Sequence, residues 1–317
     1  MPTPEKLYIV VPCYNEEAVL PETVRCLTEK LGGLIGRGLA AEGSRILLVD
    51  DGSRDGTWEL IQRYRREDPL VTGIRLAHNQ GHQNALLAGL MTAKDRCGVT
   101  VSLDADLQDD VDAMDGMLER FYQGCDIVYG VRVNRDTDTP FKRGTALAFY
   151  RLMKWLGAET VYNHADYRLM SRRALDGLAD FREVNLFLRG LAPMIGYRTA
   201  VVEYSRRPRL AGESKYSIGR MLNFALDGVT SLSVRPIRLM ALTGAALLRG
   251  GLIWLAALLI LCLRGRAASG STVLLASVWT AAGLQLVGLG LVGEYLGKVY
   301  LEVKDRPRYL IETDLGE

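Results

Sequence analysis

Short apolar runs rich in β-branched residues alternate with stretches of helical period through the first half of the chain, the sequence form of a parallel sheet covered by helices. The runs predict strands over Leu7–Cys13, Arg45–Val49, Val71–Leu76, Val99–Leu103 and Asp126–Tyr129. Between them Ala18–Leu31, Thr57–Arg66, Gln83–Ala93 and Val111–Tyr122 predict helices. Each polar cluster follows the C-terminal end of a strand, the edge at which open α/β sheets bind ligands.

Beyond Gly130 the alternation loosens. Phe141 to Leu156 sets Phe149, Leu152, Met153 and Leu156 at helical spacing beside Lys142, Arg143, Arg151 and Lys154. Such a basic amphipathic helix suits a lipid surface, and equally an ordinary helix packed on a core. Tyr216 to Val234 is a second candidate interfacial helix. Ile237–Leu263 and Thr272–Gly297 are apolar segments longer than the ~20 residues that cross a bilayer. Their connection, Arg264 to Gly270, is short enough to force a helical hairpin. Basic residues Arg220, Arg235, Arg238, Lys298, Lys304, Arg306 and Arg308 flank the open end of that hairpin, against Arg264 and Arg266 in its loop. The positive-inside rule then puts the N-terminal region and the tail in the cytoplasm.

The predicted organisation is a cytoplasmic catalytic domain over 1–213, an interfacial helix over 214–236, two transmembrane helices over 237–298 and a cytoplasmic tail over 299–317. Arg249 lies near the middle of the first span, a costly position. A hydrogen bond to Gln285 across the hairpin, an oligomer contact, or snorkelling toward a water-filled cleft would each account for it.

At 317 residues the chain is long enough for one full domain and a smaller appendage. A net charge of +2, without a basic block interleaved with aromatics, excludes a nucleic-acid groove as a reading. Cys13, Cys26, Cys97, Cys125 and Cys262 form no CxxC pair and have no close histidine, so reduced thiols are expected and neither zinc nor a disulfide framework. His78, His82 and His164 have no ligand spacing. The N-terminus enters a strand without the basic and apolar regions of a signal peptide, which again predicts a cytosolic domain.

Ser102-Leu-Asp-Ala-Asp-Leu-Gln108 carries the strongest chemistry. The strand period of two points Asp104 and Asp106 the same way. Paired carboxylates make a hard-oxygen site for Mg²⁺ or Mn²⁺, ions that bind substrate phosphates as well. An Asp-x-Asp triplet alone is common, so its context matters. Val10-Val-Pro-Cys-Tyr-Asn-Glu-Glu17 follows the first strand and Leu48-Val-Asp-Asp-Gly-Ser-Arg-Asp-Gly-Thr57 the second. Both turn from strand into polar loop and then helix, a setting that suits a nucleobase and ribose. Capping and turn chemistry accounts for Asp55 and Thr57, but not for adjacent carboxylates at Asp50 and Asp51.

These three motifs, in this order, resemble family 2 glycosyltransferases of the GT-A fold. Asn79-Gln-Gly-His-Gln-Asn-Ala85, Tyr129-Gly-Val-Arg132, Asp166-Tyr-Arg-Leu-Met170, Phe187-Leu-Arg-Gly190, Gly212-Glu-Ser-Lys-Tyr216 and Gly293-Glu-Tyr-Leu-Gly297 narrow the resemblance to the bactoprenol glucosyltransferase branch, related to dolichol-phosphate mannose synthases. The resemblance implies an α/β, mostly parallel GT-A sheet with interfacial helices and a C-terminal transmembrane hairpin. It implies nucleotide contacts at Pro12, Tyr14, Glu16 and Asp51, a metal on Asp104 and Asp106, and Gln108 near the diphosphate or sugar. Asp166 matches a position near the reacting sugar. Arg206, Arg209, Ser214 and Lys215 match the segment facing the acceptor phosphate. Two departures stand out: Asp109-Asp110-Val111 replaces a proline-containing stretch, and Arg249 interrupts an otherwise apolar span.

The implied reaction is inverting transfer of a hexose, glucose from UDP-glucose foremost, to undecaprenyl or another polyisoprenyl phosphate at the inner membrane, by a homo-oligomer that is a tetramer in relatives. A phosphate whose second pKa is ~6 is already largely anionic at neutral pH, so Asp166 is expected to position the substrate or act as a weak base. Arg206, Arg209 and Lys215 would offset repulsion between two phosphates, although a juxtamembrane patch for anionic lipid headgroups would look similar. A processive polysaccharide synthase, which would need a longer membrane channel and a Gln-x-x-Arg-Trp motif, is one competing reading. A noncatalytic membrane scaffold is the other.

Overall fold

The computed structural model describes residues 3–132, 164–182, 188–205 and 270–316. They fall into two compact units, one holding everything up to residue 205 together with 306–316, the other holding 270–305.

The first unit is built on an eight-stranded sheet ordered β7-β5-β6-β4-β1-β2-β3-β8. Its strands are β1 (Leu7–Cys13), β2 (Arg45–Asp50), β3 (Val71–Leu76), β4 (Val99–Ser102), β5 (Ile127–Arg132), β6 (His164–Ser171), β7 (Thr199–Tyr204) and β8 (Ile311–Asp314). β6 and β8 pair antiparallel with their neighbours, and the remaining pairings are parallel. β1 is buried along its whole length, which is why it reads as a continuous apolar run. Leu7, Ile9, Val11 and Cys13 face a layer formed by α1 (Leu20–Gly36), α2 (Thr57–Glu67) and α4 (Ala113–Tyr122). Tyr8 and Val10 face the other layer, formed by α3 (His82–Lys94), α5 (Arg172–Ala179) and α6 (Leu188–Met194).

Register sets the site. Cys13 lies opposite Asp50, and Val10 opposite Ser102, so the loops after β1, β2 and β4 leave the sheet at one edge. α3 reaches the same edge because it packs close to the strands through Ala85, Ala88, Gly89 and Ala93. A Cβ at Gly89 would overlap Val10 and Val49.

The five strands and four helices predicted for the first half are all present, with ends that differ by a few residues. α1 continues through Gly32 and Gly33 to Gly36, and β5 extends to Arg132 because β7 pairs with it as far as Tyr204. β6, β7 and β8 are additions that the apolar pattern did not announce. Residues 311–314 of the expected tail form β8, tied to β3 by backbone pairing and by the Thr72 hydroxyl donating to the Gly316 carbonyl, and to the segment after α3 by Arg96–Asp314 at 2.5 Å.

In the second unit, α7 (Gly270–Val303) is a helix of 34 residues. Among the described residues no helix is long and apolar enough to cross a membrane. The two-helix transmembrane hairpin is therefore not shown; its first helix, with Arg249, lies outside the described residues. The same holds for the candidate interfacial helices over 141–156 and 216–234, and for Arg206, Arg209, Ser214 and Lys215.

Candidate active site

The loops after β1 and β2 brace each other before any substrate is considered. The Asn15 N–H donates to Ser53 Oγ at 3.0 Å, and the Arg54 N–H returns to Asn15 Oδ1 at 2.9 Å. Glu16 N–H donates to Thr57 Oγ1, and Gly56 N–H to Glu17 Oε2, both at 2.9 Å. Pro12 is buried at the end of β1, Tyr14 projects with 38% of its surface exposed, and Glu16 is half-buried.

Asp51 is 2% exposed and accepts the Gln80 N–H at 2.7 Å on one carboxylate oxygen and the Gly81 N–H at 3.0 Å on the other. It thereby holds the loop that leads into α3. Gly52, at φ +67, lies against the backbone of His78 and Asn79, where a Cβ would clash. Its neighbour Asp50 is fully buried and faces Arg75 at 3.4 Å.

The Asp-x-Asp loop is positioned from several sides. Thr23 Oγ1 on α1 donates to the Ala105 carbonyl at 2.6 Å. The Gln108 N–H donates to Asp106 Oδ1 at 3.2 Å, closing a turn in which Leu107 takes φ +51, an uncommon conformation for a residue with a side chain. Asp109 is 3% exposed and accepts from the Tyr204 hydroxyl at 2.5 Å and from Arg132 Nη2 at 2.9 Å. Tyr167 donates to the Asp110 carbonyl at 3.0 Å and packs edge-on to Tyr204. This anchor fills the position where the resemblance leads one to expect proline.

Asp104 Oδ1 is buried and makes no hydrogen bond among the described residues; its nearest cation is His82 Nε2 at 3.5 Å. Desolvation, reinforced by the charges of Asp166, Asp109 and Asp106 and opposed by His82, pushes its pKa up to about 6. An orphaned carboxylate oxygen among other carboxylates fits a divalent cation.

Asp166, 4% exposed at its side chain, has the opposite electrostatics. Its carbonyl accepts from Ser102 Oγ at 2.6 Å, fixing β6 against β4. Arg189 grips the carboxylate with Nε and Nη2, both at 3.1 Å, and His82 Nε2 and Gln83 Nε2 approach Oδ2 at 3.3 and 3.4 Å. Burial alone would raise its pKa, but the His82 hydrogen bond and the Arg189 charge and hydrogen bond outweigh it and hold the group well below the usual carboxylate range. Burial works against protonation of His82, and the two carboxylates outweigh it, so its pKa is raised.

His82, Asp104 and Asp166 offer ligand atoms within 4.8 Å of one another. The guanidiniums of Arg189 and Arg168 beside Asp166 would repel a cation placed among all three. The structure thus gathers Asp104, Asp106, Gln108 and Asp166 at one sheet edge. His82 and Arg189 join them without having been singled out by sequence, although both lie in motifs quoted above; only their convergence in space reveals a role.

Residues 8–178 match the model of Glycosyl transferase family 2. The chain is 50% identical to the "Uncharacterized glycosyltransferase YkoT" of Bacillus subtilis (strain 168), over 98% of this chain and 92% of that protein. It is 36% identical to the "SfII prophage-derived bactoprenol glucosyl transferase" of Shigella flexneri, over 97% of each. Among solved structures, the mannosyltransferase PcManGT from Pyrobaculum calidifontis, in complex with GDP-Man and Mn²⁺, aligns with a TM-score of 0.44 at 18% identity, covering 94% of this chain and 87% of its own.

Proposed function

The chain belongs to glycosyltransferase family 2, and from that membership we propose that it transfers a hexose, glucose from UDP-glucose foremost, to a polyisoprenyl phosphate at the cytoplasmic face of the plasma membrane, with inversion at the sugar carbon. The observation that carries this reading is the likeness to the Shigella bactoprenol glucosyl transferase, which runs along 97% of both chains and so takes in the apolar C-terminal segments as well as the sheet.

A divalent cation, Mg²⁺ or Mn²⁺, would be held by Asp104 and Asp106, and when bound it supplies Lewis-acid charge to a leaving diphosphate. The chain's own residues do the rest. Pro12, Tyr14 and Glu16 receive the nucleoside, and Asp51 supports that pocket by closing the 78–81 loop. Gln108 orients the diphosphate or sugar. Asp166 positions groups around the reacting carbon, and Arg206, Arg209, Ser214 and Lys215 receive the acceptor phosphate. Two helices over 237–298 would anchor the enzyme in the bilayer. Exposed Leu274, Val278, Leu289, Val292 and Leu296 on α7 support the second of them.

Washed membranes carrying the protein, given labelled UDP-glucose and undecaprenyl phosphate with and without EDTA, test the proposal. Metal-dependent label in the lipid phase is expected. Label in a water-soluble polymer would point instead to a processive synthase, and no transfer with any nucleotide-sugar to a scaffold. Asp106→Ala is expected to abolish transfer with little change in folding. Lys215→Ala should raise the half-saturating concentration of the lipid acceptor and leave that of the nucleotide-sugar alone.

A further inference from the structure

The motif Tyr129-Gly-Val-Arg132 has no part in the transfer reading above, yet it completes a buried polar triangle beside the Asp-x-Asp loop. The Tyr204 hydroxyl donates to Asp109 Oδ1 at 2.5 Å. Arg132 donates Nε to the Tyr204 oxygen at 3.1 Å and Nη2 to the same Asp109 oxygen at 2.9 Å. Asp109 is 3% and Tyr204 4% exposed, so these contacts lie where water screens little and losing one partner is costly. Gly130 makes room for them, since a Cβ there would stand 3.0 Å from the rings of Tyr167 and Tyr204 and from Met117. Tyr167 in turn donates to the Asp110 carbonyl at 3.0 Å.

Three strands thereby hold two consecutive residues of the loop: β5 through Arg132, β7 through Tyr204 and β6 through Tyr167. On the other flank Thr23 of α1 holds the Ala105 carbonyl at 2.6 Å. Between these holds lie Asp106, Leu107 and Gln108, with Leu107 at φ +51 and the Gln108 N–H bonded to Asp106 Oδ1 at 3.2 Å. So short a span, fixed at both ends, has little conformational freedom left. It is held against a force. Burial, and then the charges of Asp166, Asp109 and Asp106 against the pull of His82, raise the Asp104 pKa to about 6, which marks carboxylates that repel one another.

We propose that Tyr204, Arg132 and Asp109 are positioning residues for the divalent cation, a buried brace that keeps the Asp104 and Asp106 carboxylates together against their mutual repulsion. The inference rests on the reading above in which those two carboxylates hold Mg²⁺ or Mn²⁺. The brace acts through the Asp106 loop and not by touching the ion. Residues that orient metal ligands in this way typically change metal affinity by about ten- to a hundredfold.

Mn²⁺ binding to the full chain in detergent, with and without UDP, is read by electron paramagnetic resonance, which reports free ion and needs no turnover. Tyr204→Phe removes the hydroxyl, keeps the ring and leaves the charge of Asp109 in place; its dissociation constant for Mn²⁺ should be about tenfold above wild type. Tyr167→Phe, which releases a backbone carbonyl, should shift the constant the same way by less. Leu34→Ala opens a cavity in the core at the far end of α1; it should lower the melting temperature at least as much as Y204F does and leave Mn²⁺ affinity unchanged. If Y204F loses stability yet binds Mn²⁺ as wild type does, the triangle is a stabilising contact alone and the proposal is overturned; Y167F decides the matter in the same way should Y204F fail to fold. Asp106→Asn sets the baseline. Mn²⁺ affinity of D106N equal to wild type would sink the cation assignment itself and the brace with it, whereas a weak D106N beside an unchanged Y204F removes the brace and leaves the assignment standing.

Discussion

Replacing Asp104 by Asn should make the metal-free protein more stable while removing its activity. In the folded chain Asp104 is desolvated and faces Asp166, Asp109 and Asp106, so its pKa rises to about 6. An acid whose folded pKa lies above its unfolded value binds protons preferentially in the native state. Its contribution to stability is therefore present at low pH and lost as pH rises from ~4 through the folded value. At neutral pH the ionised carboxylate is a liability that Asn, of the same shape, lacks. The full linkage value of such a shift is ~3 kcal/mol. About a third of the side chain meets solvent, so screening reduces the expected gain to ~1 kcal/mol, or ~2–4 °C in melting temperature. Scanning fluorimetry of the full chain in EDTA should show D104N melting above wild type near pH 7.5, and the difference shrinking below about pH 6 and closing only near pH ~4, where Asp104 is protonated in the folded and the unfolded chain alike. Added Mn²⁺ should reverse the order, because only wild type gains ligand stabilisation, ~2.7 kcal/mol at a hundredfold excess over Kd. A D104N protein less stable than wild type in EDTA at neutral pH, or a gain that ignores pH, would refute the reasoning.

Tyr204→Phe removes the hydroxyl that donates to buried Asp109 but keeps the ring against Tyr167; a loss of ~1.5–3 kcal/mol is expected in urea unfolding, and Asp109→Asn, which takes away the charge facing Arg132, should cost more, ~3 kcal/mol or above. In the D109N background Y204F should cost less than it does alone, since the two share one contact. Asp51→Ala releases the Gln80 and Gly81 N–H groups, so amide hydrogen exchange at those two residues should speed up by about tenfold or more. At Asp115 burial opposes ionisation, but Arg37 and Lys30 outweigh it and lower the pKa. That contribution is present above the ordinary carboxylate value of ~3.9 and lost as pH falls through the lower folded value. D115N should accordingly be less stable at neutral pH and show a flatter acid limb in a melting-temperature profile.

The first half of the sheet was readable because its strands are buried on both faces and its helices keep a regular apolar stripe. β6 was not, and the reason lies in its function. Asp166 and Arg168 alternate on a face that a hydrophobic pattern would fill with Val or Ile, so the strand breaks the local rule where the site requires charge. β8 escaped for a different reason: Ile-Glu-Thr-Asp is short, polar and exposed, and it becomes a strand only by pairing with β3 across more than two hundred residues of sequence. Asp104 and Asp106 were visible as a local triplet. The grip of Arg189 on Asp166 was not, because residues 166 and 189 belong to different elements and nothing in their spacing joins them.

His82 touches two carboxylates that titrate in opposite directions, Asp104 upward and Asp166 downward. Such pairs usually divide the labour of acid and base, yet neither suits the removal of a proton from an alcohol. Asp166 is clamped by Arg189 and too weak a base. Asp104 is the natural cation ligand and would be still less basic beside a divalent charge. A sugar hydroxyl, the acceptor of a processive synthase, would need a proton taken from it during attack, whereas a phosphate monoester with a second pKa of ~6 arrives ionised. What such an acceptor needs is neutralisation of its charge next to a diphosphate. With neither carboxylate suited to deprotonating an alcohol, the electrostatics of the described centre favour a phosphate acceptor over a hydroxyl one.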